Sequence, residues 1–177
     1  MRKVWKSITR RRGIIKDKKE RGEWAESIFL VRATEHGIHV SKPWGDSRSY
    51  DFVVGRPGRF AAVQVKCTVF ELESGTGYCC STCSSHKAYR KGAFDFLAAY
   101  VIPEDVWYII PADKVFGLKS ISLCTEEGEA KYEGYREAWG LLKRTMQPGG
   151  GIDLNACADE TVYDEAGNLP VEVVLVP

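Results

Sequence analysis

The chain has 177 residues, is 44% hydrophobic and carries a formal net charge of +1. That length suits one domain of ordinary size with a real core, and a charge so near zero excludes any argument from bulk charge for a nucleic-acid or membrane partner. The longest apolar run, Phe96 to Ile102, falls far short of the ~20 residues that a helix needs to cross a bilayer. The charged N-terminus is followed by no apolar h-region, so a cytoplasmic protein is expected, its six cysteines serving as thiols or metal ligands.

In chain order, Arg2 to Arg21 holds ten Lys or Arg against Asp17 and Glu20. This basic arm, residues 1–21, either meets phosphates or is a solvated terminus; Arg10, Arg11 and Arg12 are its densest run. Trp24, Ala25, Ile28 and Val31 recur at helical spacing, and Gly37 is a natural terminator with His36 in the last turn. Residues 38–40 suggest a short strand, and Lys42 to Ser47 a loop. Tyr50 to Val54 and Phe60 to Lys66 read as strands joined by the turn Gly55-Arg56-Pro57-Gly58. Glu73 to Lys91 is polar and rich in Cys and Ser, which predicts a long loop. Strands are expected over Phe94 to Val101 and Val106 to Ile110, and a helix over Tyr132 to Met146. Gly149 to Gly151 is a joint, without the Lys and Ser or Thr of a phosphate loop, and Val171 to Val176 suits an edge strand. The order predicts an α/β domain with a mixed sheet over residues 22–147 and a C-terminal extension over 148–177.

The two central strands carry an unusual set of side chains. Gln64 and Lys66 lie two apart on one strand and so share a face. If Gly55 to Gly58 is a four-residue loop, Val54 faces Arg59, and Asp51 becomes a diagonal neighbour of Gln64, roughly 7–8 Å away and on the same face. A one-residue slip would send Asp51 to the other side. Asp and Lys are both disfavoured inside such apolar strands, and an unpartnered buried carboxylate is costly. A hard cation offsets that cost: Asp51, the Gln64 side-chain oxygen and the Val65 backbone carbonyl offer the oxygen ligands that Mg²⁺ takes, with Mn²⁺ able to substitute. Glu26, on the preceding helix, could add a water-mediated contact or hold a second ion, and Lys66 would sit beside an attacking water. This is equipment for metal-assisted phosphodiester hydrolysis. The same residues also fit a buried Asp–Lys pair that neutralises itself.

Gly22-Glu23-x-x-Glu26, then Tyr50-Asp51-Phe52-Val53-Val54, then Val63-Gln64-Val65-Lys66 resembles the PD-(D/E)XK nuclease superfamily. With Asp95 to Tyr100 and Trp107 to Pro111 downstream, the pattern is similar to its group I intron-associated branch, homing endonucleases of cyanobacterial type and their bacterial relatives. The likeness spans Gly22 to Pro111. It implies a restriction-endonuclease-like core with a mixed sheet flanked by helices, and a metal-dependent endonuclease of double-stranded DNA with Glu26, Asp51, Gln64 and Lys66 as catalytic residues. It also implies a homo-oligomer, dimer or tetramer, because two strands need two sites. Lys87, Arg90 and Lys91, just past the catalytic strand, become phosphate contacts together with the arm. Tyr50 stands where the superfamily has Pro, a position that binds nothing. Gln64 replaces the usual acidic residue, a variant shared with the intron-associated branch and contrary to the archaeal junction resolvases, the rival nuclease reading. A catalytically silent DNA-binding protein on the same fold is the rival from another class.

Other features carry less. Cys80, Cys83 and His86, with Cys67 as a fourth partner, are zinc-ligand types, but the spacing is compressed and lacks a second paired knuckle. Glu23, Asp46 and Asp95 read as solvated acids, and His36 and His39 as structural. Trp44, Trp107 and Trp139 read as core or interface residues rather than base-stacking platforms.

Overall fold

The structure, a computed structural model, describes residues 15–45, 48–84, 86–124 and 130–144. All belong to the first of two units, Met1–Gln147; the expected glycine joint and C-terminal strand lie outside the described residues.

Helix α1 (Lys18–Glu35) begins where Asp17, in extended backbone, accepts hydrogen bonds from the N–H groups of Lys19 and Glu20 at 2.9 and 2.8 Å, the usual work of an N-cap acid. It ends in a Schellman motif. Gly37, at φ +70, donates to Thr34 O and Ile38 donates to Ala33 O, so the last carbonyls are satisfied. The helix therefore takes in Lys18 to Arg21, the end of the expected arm. Its buried stripe is Arg21, Ala25, Phe29 and Ala33. Val31, expected inside, is exposed, and Trp24 and Ile28 pack at the margin. Small residues on either side of Phe29 let the helix lie close to the sheet, and the Phe29 ring meets Phe52, Trp107 and Trp139 at 5.2–5.7 Å.

The sheet beneath the helix has five strands. They are β1 (Val40–Ser41), β2 (Phe52–Arg56), β3 (Arg59–Thr68), β7 (Phe96–Val101) and β8 (Val106–Pro111), in the order β1-β2-β3-β7-β8. Only the β3–β7 pairing is parallel, so the sheet is mixed as expected. Strands β7 and β8 are near-continuous apolar runs because both faces are covered. Ala98, Tyr100, Trp107 and Ile109 join the helix-side core, while Leu97, Ala99, Tyr108 and Ile110 join a second core on the opposite face. That second face is closed by β4 (Gly77–Ser81) paired antiparallel with β9 (Ser120–Cys124), beside the small hairpin of β5 (Cys83–Ser84) and β6 (Lys87–Ala88).

Three expectations need correction. The β2–β3 connection is a two-residue turn, because Pro57 presets the first turn position and Gly58, at φ +83, supplies the left-handed second. Gly55, assigned to the turn, instead pairs with Phe60 inside β2, where an added Cβ would collide with the Arg59 carbonyl oxygen. The Cys-rich segment is not one long loop but holds β4, β5 and β6, and Tyr78 and Cys80 pack inward against Ile121 and Leu123. The long helix expected after Tyr132 is, among described residues, a 3₁₀ turn (Glu133–Tyr135) and a short α2 (Gly140–Arg144). Glu137 interrupts it at φ +49. Its N–H donates to Trp107 O at 2.7 Å, and its carboxylate accepts from Trp107 N–H and Trp139 Nε1 at 2.9 and 2.8 Å. The segment thus covers the open edge of β8 rather than coiling. No described helix is long and apolar enough to cross a membrane.

Candidate active site

The site forms where β2 leaves β3. Their ladder runs from Arg56↔Arg59 to Phe52↔Val63, and the same register sets Asp51 directly opposite Gln64. The expected register was two residues off. A slip of two keeps parity, so Asp51 still shares a face with Gln64 and Lys66 and comes closer to Gln64 than expected. Asp51 N–H donates to Val63 O at 2.9 Å. Beyond it β2 no longer covers β3, and the Asp51 carboxylate accepts the next ladder donor, Val65 N–H, at 2.7 Å. The same oxygen, Oδ2, accepts a short hydrogen bond from Gln64 Nε2, which also donates to the Val65 carbonyl at 3.1 Å. Gln64 is only 5% exposed.

This cluster fits a hard cation. The Gln64 amide nitrogen now bridges two oxygens, those of Asp51 and Val65, and so stands in for a positive centre between them. A half-turn of the amide exchanges Nε2 for Oε1. The chain then offers three oxygens, from Asp51, Gln64 and Val65, which are the donor types that Mg²⁺ takes alongside water. Burial, opposed by the Val65 N–H bond and abetted by the Glu26 charge, raises the Asp51 carboxyl from 3.8 to about 6; Lys66 and Lys42 pull the other way. A bound cation would relieve that penalty.

Lys66 continues the face. Its ammonium lies 5.5 Å from the ring centroid of Tyr89, a cation–π contact that orients it, and Tyr89 is itself held edge-on by Phe94 at 5.0 Å. Glu26 lines a cleft of about 430 Å³ together with Asp51, Gln64 and Lys66. Its carboxylate is ion-paired with Lys42 at 2.9 Å. A second cleft, of about 410 Å³, opens from the same three residues on the other side and is lined by Arg48, Lys87 and Arg90.

The structure thus brings Glu26, Asp51, Gln64 and Lys66 to one place, with Lys87 and Arg90 beside them. Lys91 is exposed but does not line either cleft. Arg10, Arg11 and Arg12 lie outside the described residues. The zinc reading through Cys80, Cys83 and His86 finds no support. Cys80 is fully buried and burial pushes its thiol up to about 12, and no three His, Cys, Asp or Glu among the described residues are grouped to hold a metal. Asp95 is more than a solvated acid: its carboxylate accepts Ala62 N–H at 2.8 Å and joins β3 to the start of β7. Arg48, Lys42 and Tyr89 were not anticipated. Tyr89 had a signal, an aromatic ring interleaved with Lys87, Arg90 and Lys91; the other two sit in a loop without periodicity.

Residues 16–142 match the model of the PD-(D/E)XK endonuclease family. No curated protein sequence matches significantly. Among solved structures, the chain is similar to a bacterial homing endonuclease, I-Ssp6803I, at 32% identity and a TM-score of 0.61, over 72% of this chain and 95% of that one. The family match runs from the start of α1 to α2 and includes the whole Asp51, Gln64 and Lys66 constellation, so the chain belongs to the PD-(D/E)XK endonuclease family, nucleases that generally work with divalent metal ions.

Proposed function

We propose that this endonuclease hydrolyses phosphodiester bonds of double-stranded DNA with Mg²⁺, in the manner of a homing endonuclease, through Glu26, Asp51, Gln64 and Lys66. The observation that carries the reading is the meeting of the Asp51 carboxylate, the Gln64 amide and the Val65 carbonyl at the end of β2, with Lys66 next on the same face. Asp51, Gln64 Oε1 and the Val65 carbonyl would hold the ion, which would supply a more acidic water and charge relief at the phosphate. Lys66, aimed by the face of Tyr89, places its ammonium against the negative charge that builds on the reacting oxygens. Glu26, tied by Lys42, contributes through water. Lys87, Arg90 and Lys91, with Arg10, Arg11 and Arg12 of the arm, bind backbone phosphates and set position rather than sequence. Cutting both strands takes two sites, so the working form is a homo-oligomer.

Plasmid cleavage tests the reading. The purified protein nicks or cuts supercoiled DNA with Mg²⁺ or Mn²⁺ and stops when a chelator is added. Asp51→Ala and Lys66→Ala each abolish cutting; unchanged cleavage in both overturns the mechanism.

A further inference from the structure

Trp44 is the one described tryptophan outside the core. Its relative exposure is 101%, whereas Trp107 and Trp139 are buried and Trp24 packs on Tyr100. An indole offers more apolar area than most side chains, and a wholly solvated one leaves that area unused. Single exposed apolar residues are common and need no explanation by themselves. The setting of this one is different. Pro43 precedes it and Gly45, at φ +78, follows. Proline stiffens the backbone on one side and the left-handed glycine turns it on the other, so the ring is presented at a bend.

Described residues on both sides of Trp44 meet the candidate site. Two residues before Trp44, Lys42 ion-pairs with Glu26 at 2.9 Å and lies over the Phe52 ring. Four residues after it, Arg48 lines the cleft shared with Asp51, Gln64 and Lys66. Two residues of extended chain span at most ~7 Å. The indole therefore sits on the segment that leaves Lys42, the partner of Glu26, and Glu26 lines a cleft with Asp51 and Lys66. Arg48, in the cleft that holds Asp51 and Lys66, suits a polyanion, and the flat ring suits the face of a base.

We infer that Trp44 is a DNA-stacking residue that inserts its indole against a base beside the reacting phosphate, opening the duplex locally so that the backbone seats on Asp51 and Lys66. The inference rests on the nuclease reading given above. Its partner is duplex DNA; a second copy of the chain covering Trp44 is the rival outcome. Aromatic side chains stack on any base, and apolar wedges commonly unstack a step to let a protein approach the backbone.

The test uses the full chain, sonicated duplex DNA, and Ca²⁺ in place of Mg²⁺ to hold cleavage in check. With Trp5 replaced by Phe throughout, adding DNA should shrink the acrylamide-accessible part of the tryptophan emission, and the further change Trp44→Phe should remove that DNA-sensitive part. Trp44→Ala should weaken duplex binding about tenfold with an unchanged salt slope, because no phosphate contact is lost. Trp44→Phe, which keeps a ring, should recover most of the affinity. Duplex binding of undiminished strength by Trp44→Ala, with the exposed emission untouched by DNA, overturns the inference and leaves the nuclease reading standing. Loss of a dimer in Trp44→Ala on sedimentation, with DNA affinity per chain unchanged, assigns the ring to a protein interface and also overturns it. Wild type that neither binds nor cuts duplex overturns both.

Discussion

Two largely buried aspartates, Asp105 and Asp51, are held in opposite ways. Asp105, 7% exposed at its side chain, accepts from Arg32 Nη2 at 2.8 Å and from the Tyr100 hydroxyl at 2.7 Å. Its charge is met by a guanidinium that remains charged in any folded state. Asp51 is met by a backbone N–H and an amide, both neutral donors. The nearby cations, Lys66 and Lys42, are turned toward Tyr89 and Glu26. The first carboxylate is complete within the chain. The second is hydrogen-bonded but not neutralised, and its raised pKa of about 6 records the deficit. A charge left uncompensated inside a fold marks a place where something else supplies the balance.

The largest expected effect is on activity. Asp51→Ala or Lys66→Ala should lower plasmid cleavage by at least about 1,000-fold, whereas Asp105→Asn should leave the rate per folded molecule within about twofold of the wild type. A comparable loss in Asp105→Asn would erase the distinction between the two carboxylates. Stability should run the other way. Asp105→Asn replaces a charge-assisted bond to Arg32 with a neutral one and should cost about 2–3 kcal/mol in urea unfolding at pH 8.

Asp51→Asn should instead stabilise the metal-free protein. The folded carboxyl titrates at about 6 against 3.8 in its ordinary state. The folded state thus holds the proton more tightly, so this contribution to stability is fully present below about pH 4 and is lost as pH rises through 6. At pH 8 the ionised form costs about 2 kcal/mol, discounted for the water that still reaches it, and Asn escapes that cost. The gain from the substitution should therefore grow between pH 4 and 7 and then level off. Adding Mg²⁺ at pH 8 should raise the stability of the wild type and leave Asp51→Asn unmoved. A pH-independent difference would show that the carboxylate is already balanced within the chain, as Asp105 is.

The comparison also explains what was legible in the sequence. Asp51, Gln64 and Lys66 could be read together because strand parity has period two, and the error of two in register left that parity intact. The helix was visible in its spacing and its terminator Gly37, but its buried stripe was misread by the apparent match of Val31, since the decisive packing of Phe29 against Trp107 and Trp139 joins residues distant in sequence. Strands β4 and β9 pair Gly77–Ser81 with Ser120–Cys124, and neither segment is apolar enough to announce itself alone. Arg32 and Asp105 meet across 73 positions, which no local pattern reports. Lys42 and Arg48 lie in a loop, where position depends on the elements at its two ends.

The smallest expected effect separates cations that serve the substrate from those that serve the fold. Arg32 belongs to the second kind, through its ion pairs with Asp105 and Glu35. Lys87 and Arg90 are exposed, and they line the cleft that opens from Asp51 and Lys66. A phosphate bound there releases counterions, so each lysine or arginine that meets one adds about one unit to the slope of log affinity against log salt. Lys87→Ala with Arg90→Ala should therefore flatten that slope by about two units in a Ca²⁺ binding titration. It should weaken binding of all duplexes alike, because phosphate contacts carry no base information. Cleavage at saturating DNA should be preserved to within about threefold, since neither side chain belongs to the Asp51, Gln64 and Lys66 cluster. An unchanged slope would mean that the DNA backbone takes the other cleft, past Lys18 and Arg21 at the start of α1, and the same titration on Lys18→Ala would then show the missing unit.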